Sequence, residues 1–333
     1  MLLTFSQGIK RISGLTAFLG SPVQYRYSLH AGRHYSGVVG WGFKPTSVKA
    51  QAYAKKHDLP YIALEDGFLR SVGLGVNGAP GRSMVLDFTG IYYDATKPSD
   101  LESLILNANY TSEQLERACA AIALIKTHRL SKYNHAPDRC PGSIRTDLKS
   151  KVKSDVNSER VLVVDQTYGD ASIELGCADA ASFERMLLKA IGDNPDAEVV
   201  VKTHPDVVAG KKQGYLHHLA LQLGCTLLSE DVNPWAILDQ VNKVYVVTSQ
   251  LGFEALMAGK EVHCFGMPFY AGWGLTTDLL ICERRGHKRS LAEVFYAAYI
   301  EYCRYLDLQD FTLSNIENTI AALAEERGVN GNS

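Results

Sequence analysis

His204 and Ser249 are the side chains in this sequence that best combine hydrogen-bonding chemistry with a position at the end of a strand. His204 lies in EVVVKTHPD (198–206) and Ser249 lies in KVYVVTSQLGFEALMAGK (243–260), and both segments pass from an apolar run into polar residues. An imidazole and a hydroxyl can both donate hydrogen bonds to phosphate or ribose oxygens. Together the two segments predict half of a nucleotide-sugar site.

The elements that position these groups follow from residue types. The runs 199–201 and 244–247 are β-branched or aromatic, which is typical of strands buried on both faces of a parallel sheet. Such strands line a ligand crevice with their carboxyl ends, and the helix predicted after Ser249 offers N–H groups to an anion. The alternative is that Thr248 and Ser249 only cap this helix and that His204 only closes a strand turn.

Length and composition favour a soluble intracellular enzyme with two domains. The chain has 333 residues, and its Lys plus Arg (34) nearly balance its Asp plus Glu (36), so no global field recruits nucleic acid. Its seven cysteines show no C-x-x-C spacing, which argues for free thiols in a reducing compartment and against structural zinc. Neither a signal peptide nor an apolar stretch long enough to span a bilayer is expected.

Strand and helix patterns alternate in two blocks, which predicts an α/β protein with two Rossmann-like domains. The first block has strands within 36–45 and 59–67 around a helix from Ser47 to Lys56, and the second begins at strand 161–166. A polar stretch from Asp138 to Arg160 is expected to link them. The predicted domains are an acceptor-binding domain (1–150), a donor nucleotide-binding domain (151–285) and C-terminal helices that pack back on the first domain (286–333).

Several familiar nucleotide motifs are missing from the sequence. Gly40 and Gly42 do not have the spacing of a dinucleotide fingerprint, and no Walker A sequence occurs. No Asp-x-Asp occurs either, so we expect no metal and no other cofactor, and a donor with a single phosphate fits better than a nucleoside diphosphate sugar. Two Rossmann-like domains that face one interdomain cleft would be a GT-B-like architecture.

Seven segments, in this order along the chain, carry a family resemblance: WGFKP (41–45), EDGFLRSVGLG (65–75), GIYYDATKPSDLE (90–102), VLVVDQTYGDAS (161–172), KTHPD (202–206), TSQLGFEALMAGK (248–260) and CFGMPFYAGWGLT (264–276). With these segments the chain resembles bacterial capsule-polysaccharide β-Kdo transferases of the KpsC type, and is most similar to their N-terminal module. The resemblance implies transfer of Kdo, an acidic ketose, from CMP-Kdo to a Kdo-terminated glycolipid on phosphatidylglycerol. It also implies retention of configuration and a β-2,4 linkage.

Retention by double displacement requires a carboxylate nucleophile in the cleft. The family pattern, in which Gln166 is followed by Asp170 and Ser172, points to Asp170; the alternative is that Asp170 only caps the next helix. For Asp165 a capping or supporting role is expected. Glu65, at a strand end in the first domain, is the predicted general base for the acceptor hydroxyl.

The remaining predicted contacts divide between donor and sugar. Donor contacts are expected from Gln166, His204, Pro205, Ser249, Gln250, Gly252 and Glu254. Contacts to donor or acceptor sugar are expected from Asp66, Arg70, Arg82 and Lys202, the cations pairing with sugar carboxylates. For Glu254 the alternative is compensation of the helix dipole, for the cations an ordinary salt bridge, and for Phe269, Tyr270 and Trp273 core packing rather than stacking on the ligand.

The predicted partners are CMP-Kdo, the Kdo-terminated glycolipid and other capsule-assembly proteins, with no nucleic acid. The predicted location is the cytoplasm, with peripheral contact to the inner membrane. Two alternatives stay open: a non-catalytic protein that binds Kdo glycan or assembles capsule, and a GT-B-like epimerase or polyol-phosphate transferase.

Overall fold

The computed structural model describes residues 1–26, 34–43, 45–144, 159–209 and 211–331. The chain forms two compact units: unit 1 is Met1–His135 with Ala292–Ser333, and unit 2 is Ala136–Leu291. The predicted boundaries were at 150 and 285, so residues 136–144 belong to unit 2 rather than to the first domain. Most of the predicted linker, 145–158, lies outside the described residues.

Unit 1 is built on a seven-stranded mixed sheet. Its strands are β1 (Leu2–Thr4), β2 (Val23–Tyr25), β3 (Gly37–Trp41), β4 (Tyr61–Asp66), β5 (Ser83–Asp87), β12 (Cys303–Leu306) and β13 (Leu313–Ser314), in the spatial order β13-β12-β5-β4-β3-β1-β2. The strands β2, β1, β3 and β4 are parallel, whereas β5 is antiparallel to β4 and β12 is antiparallel to β5.

The helices of unit 1 are α1 (Gln7–Lys10), α2 (Leu15–Leu19), α3 (Val48–Lys56), α4 (Asp100–Leu106), α5 (Ser112–His128), α12 (Leu291–Phe295) and α13 (Ile316–Gly331), and a π-helical turn spans Tyr296–Glu301. The helix α5 begins at a capping box in which Thr111 and Gln114 satisfy each other's backbone N–H groups. Only helices were predicted after residue 286. This was wrong for β12 and β13, because such short strands carry too little alternation to be recognised.

Unit 2 has the strand order of a complete Rossmann sheet. Its six strands are β6 (Arg160–Val164), β7 (Glu198–Lys202), β8 (Thr226–Leu228), β9 (Lys243–Val246), β10 (Glu261–Cys264) and β11 (Thr277–Asp278). All are parallel, in the spatial order β8-β7-β6-β9-β10-β11. The order reverses between β6 and β9, and ligands of open α/β sheets bind outside the carboxyl ends of strands at this point.

Within the described part of unit 2, six helices flank this sheet: α6 (Ala171–Leu175), α7 (Ala180–Asp193), α8 (Pro205–Val208), α9 (His217–Gln222), α10 (Pro234–Leu238) and α11 (Leu251–Met257). The apolar face of α7, including Phe183 and Leu187, packs on Val161 and Val201 of the sheet. This core fixes β6 and β7, and with them the loops that follow their carboxyl ends. The α/β class with two Rossmann-like units is therefore confirmed.

Glu230 fastens residues 139–143 to unit 2. Its carboxylate accepts the backbone N–H of Ser143 at 2.8 Å and that of Gly142 at 3.1 Å, and it pairs with Arg139 at 3.0 Å. These donors lower the pKa of Glu230 to about 2 because they stabilise its charged form.

Two further features of the described residues concern membrane-spanning helices and disulfide bonds. No helix in these ranges combines the length and apolar character needed to cross a membrane. The seven cysteines, all of which lie in the described ranges, form no disulfide bond.

Candidate functional site

Asp165 follows β6 and organises a neighbouring loop. Its carboxylate is 8% exposed and accepts the backbone N–H groups of Gln166 at 2.9 Å, Tyr215 at 3.0 Å and Leu216 at 3.3 Å. Burial raises the pKa of Asp165, while these amide donors act in the opposite direction. All of these contacts fit the supporting role expected of this residue.

Asp170 lies on the exposed side of the same loop. Gly169 before it has a φ of +84°, a conformation that costs glycine little and other residues more. The Asp170 carboxylate accepts the Ser172 amide at 2.9 Å and caps α6, so the capping alternative describes its geometry correctly. Because the side chain is exposed, capping leaves the carboxylate accessible to solvent.

Gln166 and Thr248 connect the carboxyl ends of β6 and β9. The Gln166 Oε1 atom accepts the Thr248 amide at 3.0 Å, and Gln166 Nε2 lies 3.1 Å from the Thr248 hydroxyl. Ser172 joins them through its hydroxyl, 3.1 Å from that of Thr248. The alternative that Thr248 caps α11 is wrong, because the N-cap is Gln250 and the Thr248 hydroxyl faces Gln166. Gln166, predicted to contact the donor, has its amide group occupied within the protein.

Ser249 and the start of α11 form the other side of the crevice. The observed N-cap is Gln250, and Ser249 accepts the Leu251 amide through its hydroxyl at 3.3 Å and the Gly252 amide through its carbonyl at 3.1 Å. A phosphate would therefore have to displace the Ser249 hydroxyl to reach the Leu251 amide. Gly252 has no side chain, and this leaves room for Tyr270: a Cβ atom on residue 252 would lie 2.1 Å from the Tyr270 hydroxyl.

Lys202 is the last residue of β7, on the other side of β6, and His204 follows this strand. His204 is exposed, and the backbone of Pro205 begins α8, while the Pro205 side chain lies outside the described residues. Lys202 is half-buried, and its ammonium donates no hydrogen bond to the described residues and forms no ion pair with them. Burial lowers the pKa of Lys202, while the negative charges of Asp231 and the buried Glu254 act in the opposite direction. A half-buried ammonium in this position suits an anionic ligand.

The aromatic segment 269–273 belongs to the core. Phe269 is 4% exposed, and Tyr270 and Trp273 are fully buried. Tyr270 donates to the Ser249 carbonyl and the Trp273 indole donates to the Phe269 carbonyl. Core packing, the alternative to ligand stacking, is therefore the role that the structure gives them.

In unit 1 the predicted acceptor residues lie around the end of β4. Glu65 is 7% exposed, and its Oε1 atom is 3.4 Å from the Asp66 amide. Arg70 pairs with Asp66 at 2.8 Å, donates to the Ser71 hydroxyl and the Ala79 carbonyl, and faces the ring of Tyr133. Asp66 and Arg70 thus satisfy each other, as the salt-bridge alternative stated.

Arg82 also forms an ion pair within unit 1. It pairs with Glu326 of α13 at 3.1 Å and lines a groove of about 470 Å³ between β12, β13 and α13. Asp307 and Glu325 also line this groove, so its charge disfavours a sugar carboxylate.

Sequence reasoning named Ser172 and Thr248 but missed their bonds to Gln166, and it did not name Asp231. Thr248 and Ser172 bond to Gln166, and Asp231 lies close enough to influence Lys202. Only the polar character of strand-end loops could have indicated them. Among the described residues no group of three His, Cys, Asp or Glu side chains is arranged to hold a metal ion.

Two Rossmann-like units, the second with polar side chains gathered at its switch point, define an α/β protein with a Rossmann-type ligand crevice. The model of the family described as "Capsule polysaccharide biosynthesis protein" matches residues 36–305, and the chain belongs to this family.

Two relatives have names that concern polysaccharide. The capsule polysaccharide modification protein LipA of Neisseria meningitidis serogroup A is 50% identical over 309 residues, which are 91% of this chain and 42% of LipA. The lipopolysaccharide-processing protein LpsZ of Rhizobium meliloti is 42% identical over 292 residues, 87% of this chain and 64% of LpsZ. The chain thus spans less than two thirds of the length of either relative.

Two solved structures of KpsC from Thermosulfurimonas dismutans are similar over nearly the whole chain. The β-Kdo 2,4 transferase is 45% identical with a TM-score of 0.86, and 97% of each chain is covered. The β-Kdo 2,7 transferase is 30% identical with a TM-score of 0.70, covering 98% of this chain and 99% of that one. The resemblance to the KpsC type is therefore confirmed.

Proposed function

We propose that this protein is a retaining β-Kdo glycosyltransferase that moves Kdo from CMP-Kdo to a Kdo-terminated glycolipid during capsule assembly. The observation that carries the proposal is the accessible Asp170 carboxylate beside the switch point of unit 2, at the sheet edge where Lys202, His204 and Ser249 also lie. The family and the named activities of the two KpsC structures support it. A β-2,4 linkage is proposed because the 2,4 transferase is the more similar of the two.

The donor nucleotide would be held by the ends of β7 and β9. His204 and the Ser249 hydroxyl can donate to ribose and phosphate oxygens, and the Lys202 ammonium offers a positive charge to phosphate or to the sugar carboxylate. CMP carries one phosphate, so the proposed site works without a metal.

The chemistry requires two displacements at the anomeric carbon of Kdo. In the first, an Asp170 oxygen attacks that carbon and the bond to the CMP phosphate oxygen breaks, so CMP leaves with the electron pair. In the second, the acceptor hydroxyl attacks the same carbon, loses its proton to a base and releases the Asp170 carboxylate. Two inversions give retention. Glu65 remains the predicted base.

The proposed protein works in the cytoplasm, in peripheral contact with the inner membrane where its lipid-linked acceptor would lie. Incubation with CMP-Kdo and a synthetic Kdo-terminated acceptor, followed by mass spectrometry and NMR, tests the activity and the linkage. A product extended by one β-2,4-linked Kdo is expected. Binding of the glycan without transfer would instead identify a non-catalytic glycan-binding protein.

A further inference from the structure

The Gln166 side chain bridges two strand ends with both of its polar atoms. Its Oε1 atom holds the Thr248 amide at 3.0 Å, while its Nε2 atom lies 3.1 Å from the Thr248 hydroxyl and 3.3 Å from Asp170 Oδ2. One amide therefore contacts both the loop after β9 and the carboxylate after β6. An amide–carboxylate hydrogen bond is charge-assisted, which favours one orientation of the acceptor.

The Thr248 end of this bridge is fixed by packing. A Cβ atom on Gly176 would lie 2.4 Å from the Thr248 methyl group, and one on Gly266 would lie 2.9 Å from it. The methyl group therefore packs closely against the backbone of these two glycines. The Thr248 hydroxyl points towards Gln166 and Ser172. Because Thr248 is confined in this way, Gln166 has a rigid anchor.

The Asp170 end has fewer restraints. The carboxylate is exposed and is otherwise held by the Ser172 amide at 2.9 Å, a contact to its Oδ1 atom only. The other oxygen, Oδ2, is the one that Gln166 reaches. A single cap contact leaves rotation of the side chain less restricted than two contacts do.

We propose that Gln166 is a positioning residue, which orients the Asp170 carboxylate by linking it to Thr248 across the switch point. This inference rests on the proposed function for its catalytic consequence, although the orientation of Asp170 can be measured without it. Ser249 directly follows Thr248, so a ligand bound at Ser249 is connected to Asp170 through this bridge.

Gln166→Glu separates the two ends of the bridge. The carboxylate of the variant still accepts the Thr248 amide, but it has no N–H to donate to Asp170 and repels the Asp170 carboxylate instead. We expect kcat for transfer to fall about a hundredfold, as for a small misplacement of a reacting group, with KM for CMP-Kdo and the Kd for CMP within about threefold of the wild type. Gln222→Glu, an exposed change at the end of α9, is the matched control and should leave all three unchanged.

A second pair of variants tests the anchor. Thr248→Ser keeps the hydroxyl and should retain most of the turnover, whereas Thr248→Val keeps the shape, loses the hydroxyl and should lower kcat more than KM. Equal losses in both Thr248 variants would point to packing alone and would contradict the bridge.

The orientation of Asp170 is measured in the ligand-free protein through its side-chain scalar couplings in NMR. The wild type should show one dominant rotamer and Gln166→Glu an average over several, with melting temperatures within about 3 °C of each other. One unchanged rotamer in Gln166→Glu would overturn the inference. If the wild type transfers nothing from CMP-Kdo, the proposed function fails, and the couplings still decide whether Gln166 positions Asp170.

Discussion

In unit 2, side chains that follow two different strands are hydrogen-bonded to one another. In unit 1, the corresponding side chains form ion pairs with residues of nearby loops and helices. In unit 2 Gln166 joins Thr248 to Asp170, and the Lys202 ammonium forms no hydrogen bond or ion pair with the described residues. In unit 1 Asp66 pairs with Arg70, and Arg82 pairs with Glu326. Charged residues at a strand end therefore indicate a ligand site only where no other side chain of the fold forms an ion pair with them.

The largest effect is expected at Asp170. Asp170→Asn should fold and bind CMP but lose transfer by roughly a thousandfold or more, because an amide cannot form the ester intermediate. Intact-protein mass spectrometry of the wild type with CMP-Kdo should detect a Kdo adduct that the variant lacks. Asp165→Asn is the control: it should cost about 1–3 kcal/mol of stability through the Tyr215 and Leu216 amides, with a smaller effect on turnover. An adduct that maps to Asp165 would make Asp165 the nucleophile and Asp170 the supporting carboxylate.

Lys202→Met is the next largest change and tests the ammonium that has no ion-pair partner among the described residues. Affinity for CMP-Kdo, measured by calorimetry, should fall about tenfold, since a hydrogen bond to a charged group is lost. The melting temperature should stay the same or rise, because a half-buried ammonium is removed. Lys189→Met, on the exposed surface of α7, should change neither quantity. A large loss of stability in Lys202→Met would show that the ammonium is already compensated within unit 2.

Arg70→Met should have the opposite pattern. It removes the partner of Asp66 and three further contacts, so stability should fall by about 1–2 kcal/mol while CMP affinity stays within error. Thermal unfolding and calorimetry on the same sample separate the two effects. Weaker binding of a Kdo-terminated acceptor at unchanged stability would restore Arg70 as a sugar contact.

The contribution of Glu230 to stability can be tested through its pH dependence, because its carboxylate accepts two backbone N–H groups and pairs with Arg139. Its pKa is lowered in the folded protein, so its contribution is fully present above the unfolded value near 4.5 and is lost as the pH falls towards about 2. Glu230→Gln should lower the melting temperature by a few degrees at pH 7 and by progressively less below about pH 4. A difference that is independent of pH would mean that the carboxylate acts by shape rather than by charge.

The smallest expected effect is that of chelation. Transfer should survive EDTA, because the proposed donor has one phosphate and Lys202 can supply the positive charge. A loss of activity on chelation that magnesium restores would place a metal in the site. In that case the positive charge of the unit 2 site would come from the metal ion as well as from Lys202.

The sequence predicted the repeated elements well and the individual contacts poorly. The valine-rich strands β6, β7 and β9 and the helices α3, α5 and α7 could be identified from apolar periodicity, caps and length. The three-residue strands β1 and β2 could not, because they contain less than two full alternations. Residue type cannot show whether Thr248 caps a helix or bonds to Gln166, since both uses need the same hydroxyl at the same strand end.

Unit 1 is discontinuous along the chain, and this sets the order in which its sheet can be completed. On the ribosome the strand β5 emerges early, but its partner β12 follows only after all of unit 2 has been made. Until then β5 presents an open edge on which other chains can pair. Unit 2 has all its strands in one stretch and can fold first. A protein truncated before residue 303 would keep its crevice sequence intact and still be prone to aggregate through unit 1.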